Sequence, residues 1–199
     1  MTLIHQGVKM RLKSSYSFLK AYFNYTGTGN RIYARAVSEA MKVIRETAQE
    51  NNLKPIQTYL HKQFSLKLTK DMLIRLVSQA MLQYQDPFAE IQYFNTMAVI
   101  DKSFITTKHR GIEIPIEGVW DKKNKKLIIF TFSQPNNMRE ELRVIKGLIK
   151  EFAPAGHLPA DIKTAAYWDL SKGKIAEVDY QALQTVDRQR LIDAANRIK

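Results

Sequence analysis

Gly118-Val-Trp-Asp121-Lys-Lys-Asn-Lys-Lys126-Leu-Ile-Ile-Phe130-Thr-Phe132-Ser133 holds two apolar runs separated by a basic, turn-forming segment. The first run, from Ile112 to Trp120, closes on a lone aspartate. The second, from Lys126 to Ser133, is rich in β-branched and aromatic residues. That pattern predicts a β-hairpin turning at Lys122-Lys123-Asn124. Working outward, Glu90–Ile100 and Ser103–Thr107 read as strands for the same reason. Downstream, Asn137-Met-Arg-Glu140 has the form of an N-cap with its reciprocal glutamate. Leu142, Ile145, Leu148, Ile149 and Phe152 then mark one stripe of a helix. Ile162–Leu170 and Lys174–Asp179 predict a second hairpin around Ser171-Lys172-Gly173, and a closing helix spans about 186–198.

Before the strands the chain reads as helical. Ser14-Ser15-Tyr16-Ser17 precedes a short helix over Phe18–Tyr22. Ile32, Ala36, Ala40 and Ile44 recur every four residues between Arg31 and Glu50. Pro55 and Thr69 open two further helices, the second ending at Asp86-Pro87. The expected organisation is one unit, with a mainly helical part over 1–88, a sheet-containing core over 89–180 and a C-terminal helix over 181–199. Its class is α/β, a mixed sheet flanked by helices.

Composition narrows the partners. The 199 residues carry 31 Lys+Arg against 19 Asp+Glu, a formal net charge of +12, which favours a polyanion. There is no cysteine, hence no disulfide, thiolate metal site or cysteine nucleophile. No apolar run reaches the roughly 18–20 residues of a membrane span, and the N-terminus lacks a signal-peptide core. A cytoplasmic protein without membrane association is the expectation. His5, His61, His109 and His157 show no paired ligand spacing. Thr26-Gly-Thr-Gly29 lacks the Gly-Lys-Ser/Thr of a phosphate-binding loop, and no Gly-x-Ser-x-Gly elbow is present.

Several fragments, taken in order, resemble the RecB-like branch of the PD-(D/E)XK nuclease superfamily. They are Ser15-Tyr16-Ser17-Phe18-Leu19-Lys-Ala-Tyr22, Gly29-Asn-Arg-Ile-Tyr33, Glu90-Ile-Gln-Tyr-Phe94, Gly118-Val-Trp-Asp121 and the hairpin over 160–179. The resemblance implies a restriction-endonuclease-like core with a Mg²⁺ site, Asp121 on one strand and Asp/Glu-x-Lys at 130–132 on the next. Here Phe130-Thr-Phe132 stands instead, Tyr33 replaces a histidine, and Glu141 and Ile145 replace a Gln-x-x-x-Tyr pair. Phenyl rings neither ligate a cation nor stabilise a phosphate. Asp121 alone would be a weak metal ligand, so no cofactor is expected.

Three functions follow from this pattern. The first is a non-catalytic nucleic-acid-binding protein, with DNA as the favoured partner and DNA repair, recombination or mobile elements as the setting the resemblance implies. Its candidate phosphate contacts are Lys108, Arg110, Lys122, Lys123, Lys125, Lys126, Lys146 and Lys150, with Lys9, Arg11 and Lys13 adding charge. The second is a Mg²⁺-dependent nuclease with relocated residues. Glu113, Glu117 and Asp121 would share a strand face, Glu90 and Glu141 would approach from neighbouring elements, and Lys146 would reach in. The third is a protein-interaction module that kept the fold alone.

Overall fold

The computed structural model describes residues 8–25, 91–102, 110–131, 138–156, 158, 159, 161–169 and 174–199, with Lys42, Val43, Glu46, Glu50, Lys54 and Thr58 between them. Among the described residues the elements in chain order are β1 (Lys9–Arg11), α1 (Ser15–Phe23), β2 (Ile91–Asp101), β3 (Gly111–Asp121), β4 (Lys126–Thr131), α2 (Met138–Phe152), β5 (Thr164–Asp169), β6 (Lys174–Asp179) and α3 (Arg188–Arg197). The expected hairpins, the α2 stripe and the closing helix are therefore present. Lys42, Val43, Glu46 and Glu50 are helical, in line with the four-residue periodicity there. The expected helix from Thr69 and the strand Ser103–Thr107 lie outside the described residues, as do Phe132 and Asn137.

The six strands form one mixed sheet. β2 pairs antiparallel with the whole of β3, Ile91↔Asp121 through Asp101↔Gly111. A strand has two edges, so β1 and β4 share the other one. β1 lies parallel to Gly111–Glu113, and β4 lies antiparallel to Gly118–Asp121. β5 then runs parallel to β4 and β6 antiparallel to β5. The β4–α2–β5 connection supplies the crossover a parallel pair requires.

Cross-strand partners share a face, and the register sorts the sheet into two. Ile112, Ile114, Ile116 and Trp120 of β3 join Phe94, Ala98 and Ile100 of β2, Leu127 and Ile129 of β4, and Ala165 and Tyr167 of β5 in one core. Phe18 and Leu19 of α1, Leu142, Ile145 and Leu148 of α2 and Leu191 of α3 close over it. Full burial of a large aliphatic or aromatic side chain contributes about 1.5–3 kcal/mol, so this layer is the main source of stability. Glu113, Pro115, Glu117, Val119 and Asp121 fall on the opposite face by alternation.

Gly118 fixes where β4 meets β3. A Cβ there would lie 1.9 Å from the Ile128 carbonyl oxygen and 3.2 Å from Ile129 Cα. Backbone fills the space, so no side-chain adjustment relieves the clash. Gly118→Ala is expected to destabilise the protein by about 3 kcal/mol or more, read as a lowered urea midpoint. An unchanged midpoint would refute the close approach.

Candidate functional site

Asp121 ends β3 and is 8% exposed. Its Oδ1 accepts from the Asn124 amide at 3.0 Å, and its Oδ2 accepts from Asn124 Nδ2 at 2.7 Å. The short side chain thus caps the Lys122–Lys125 turn, the local role for which aspartate is favoured. Lys125 completes the reversal at φ 53°, and its carbonyl accepts from the Lys163 and Thr164 amides. Both carboxylate oxygens are committed to the hairpin.

The register sets Asp121 opposite Lys126, and Gly118 opposite Ile129. Position 130 therefore lies four residues, about 13 Å, along β4 from the partner of Asp121. One step beyond the last pair it comes level with Glu117. Phe130 itself pairs with Trp168 across the parallel ladder. The backbone register does not bring Asp121 and position 130 together.

Nor do the relocated candidates converge. Glu113, Glu117 and Asp121 share a face, but successive members stand about 13 Å apart. A Mg²⁺ ion holds its oxygens at 2.0–2.1 Å and cannot bridge that spacing. Among the described residues no group of three or more His, Asp or Glu side chains could hold a metal ion, so these residues do not by themselves fit Mg²⁺. Glu90 lies outside the described residues. Lys146 and Glu141 project from α2 on the other side of the sheet. The Lys146 ammonium donates to the carbonyls of Tyr180 (2.7 Å) and Leu183 (2.8 Å) and lies 4.2 Å from the Tyr180 ring centroid. Burial, and then Lys150, lower its pKa. Its geometry is that of a clamp on the loop after β6, and Arg143 reinforces it by donating to the Gln184 carbonyl.

Glu141 is the most unusual acid in the described structure, with no solvent exposure. Tyr25, just past the end of α1, donates its hydroxyl to Oε1 at 2.8 Å. Oε2 and the buried Tyr167 hydroxyl find no partner of regular hydrogen-bond geometry, although Tyr167 acts on the same carboxyl. Burial dominates and raises the Glu141 pKa to about 7, while Tyr25 and Tyr167 pull it back. Burial, then Glu141, raises both tyrosine pKa values. Closed to solvent, the carboxyl joins the exit of α1 to the start of α2. Sequence reasoning named Glu141 but missed Tyr25 and Tyr167. The available signal was an acid on the apolar stripe of Leu142, Ile145 and Leu148.

The basic candidates scatter. Arg110 and Lys122 stand at opposite ends of β3, roughly 35 Å apart. Lys108 lies outside the described residues. Lys122 and Lys123 are exposed on the turn, and Lys150 is exposed on α2. Lys125 pairs with Asp161 and Lys126 with Glu177. Asp121 and Asp179 add to those acids, so the hairpin end sets four carboxylates against Lys122, Lys123, Lys125, Lys126 and Lys163. Its field is nearly balanced. Among the described residues no helix is long and apolar enough to cross a membrane.

Searches against family models, curated proteins and solved structures returned no match.

The buried acid has a pH signature. Its folded-state pKa lies above the ordinary 4.5, so the stability associated with its proton is complete below pH 4.5 and lost as pH rises towards 7. The loss, on the order of 3 kcal/mol, is complete above pH 7. Glu141→Gln should remove that slope, so urea midpoints of variant and wild type should diverge between pH 4.5 and 7. Parallel curves would refute a buried, neutral Glu141.

Proposed function

We propose that this protein is a non-catalytic nucleic-acid-binding protein on a restriction-endonuclease-like frame. The supporting observation is the commitment of Asp121. Both of its oxygens cap the turn, and its ladder partner is Lys126 rather than residue 130. The signature positions carry phenylalanine, so neither half of a two-carboxylate metal site has its chemistry. The arrangement of β2, β3 and β4, a crossover through α2, and β5 parallel to β4 accords with the resembled core. The net charge of +12 supports a polyanionic partner. On this reading the chain retained a shape suited to nucleic acid and lost the means to cut it.

The test is incubation of the purified chain with labelled single- and double-stranded DNA, with and without Mg²⁺ or Mn²⁺. Retention without cleavage is expected, weakening by roughly tenfold or more between 50 and 200 mM salt as counterions compete. Metal-dependent cutting abolished by Asp121→Ala would establish the nuclease reading instead. No retention at 50 mM salt would leave the protein-interaction module.

A further inference from the structure

The face formed by the end of α1 and by α3 combines aromatic rings with arginines. Tyr22 and Phe23 meet edge to face with ring centroids 4.8 Å apart, and Phe23 and Tyr25 stack at 5.3 Å with 17° between their planes. All three residues are half-buried. Arg190 holds its guanidinium 5.8 Å from the Tyr22 centroid, and Arg197 Nη1 lies 3.4 Å from Asn24 Oδ1. Both arginines are exposed, and neither makes an ion pair among the described residues. Asp193 between them is hydrogen-bonded by Gln189.

The arginines lie seven positions apart on α3, close to two turns, so they share a side about 10.5 Å apart along the axis. That side faces the ring row. The hairpin lysines, in contrast, are largely matched by acids. Arginine also stacks on flat π-faces, which a lysine ammonium does not.

We propose that this α1–α3 face binds single-stranded nucleic acid, its bases stacking beside Tyr22, Phe23 and Tyr25 and its phosphates held by Arg190 and Arg197. The proposal rests on the nucleic-acid reading above and assigns it a surface and a strand form. Unpaired bases offer π-faces to aromatic side chains, whereas a duplex keeps them stacked inside. Sequence preference is not expected, since stacking and phosphate contacts read no base edges.

The test measures fluorescence anisotropy of a labelled dT20 strand and of a 20-base-pair duplex with the full chain at 50 mM salt. The dT20 strand is expected to bind roughly tenfold or more tightly than the duplex. Arg190→Ala with Arg197→Ala should weaken dT20 binding by roughly 30-fold, while Lys122→Ala with Lys123→Ala should change it by less than about threefold. Tyr22→Leu keeps apolar volume against the core but removes a π-face, and should weaken binding by roughly fivefold or more. Thermal melts confirm that each variant is folded. Wild-type affinity in the arginine variant, or a preference for duplex, would overturn this assignment and leave the general reading standing. Binding to neither strand form would instead overturn both.

Discussion

The two-sided pairing of β3 is the constraint on which the rest of the structure depends. Its eleven residues are held by β2 along one edge and by β1 and then β4 along the other. Side chains alternate along a strand, so a slip of one residue would exchange the two faces of the sheet. Ile112, Ile114 and Ile116 are all fully buried against the helices, so such a slip would remove much of the core. Gly118 admits the β4 backbone at close range, and Asp121 closes the turn that delivers it. Register, core and hairpin therefore specify one another.

That constraint also determines what the acids can do. The sheet lies between two sets of carboxylates. Glu141 belongs to the helical layer, sealed with Tyr25 and Tyr167, while Glu113, Glu117 and Asp121 belong to the other face. Lys146 is drawn to loop carbonyls on the helical side. A divalent cation needs several oxygens within a few ångströms, with a further charge nearby for phosphate chemistry. The register spreads the candidates along a strand and across two faces instead. The same residue types therefore act as turn cap, buried link and loop clamp. At the hairpin end, Lys125 and Lys126 are held by Asp161 and Glu177.

Local signals made much of this fold legible. The alternation and β-branching of β2 to β4, the apolar stripe of α2 and the polar breaks between them specify their elements through short-range physics. β1 was not legible, because three residues acquire strand geometry only by pairing with Gly111–Glu113 a hundred positions away. Nor was the partner of Asp121. The resemblance implied signature positions at 130–132 as its companions, but the four-residue turn and the left-handed Lys125 set it against Lys126. The Tyr25–Glu141 contact spans 116 positions, and its only local trace is an acid among apolar neighbours. Where chemistry depended on register, sequence order was an incomplete guide.

The chain contains no cysteine, so an introduced pair reports β3–β4 register without interference. Disulfide formation requires Cα atoms about 4.4–6.8 Å apart. Under mild oxidation, Asp121→Cys with Lys126→Cys should cross-link, and Asp121→Cys with Phe130→Cys should not, because about 13 Å of strand intervenes. Cross-linking of the second pair but not the first would set Asp121 beside the signature positions and contradict the account of an aspartate committed to its turn.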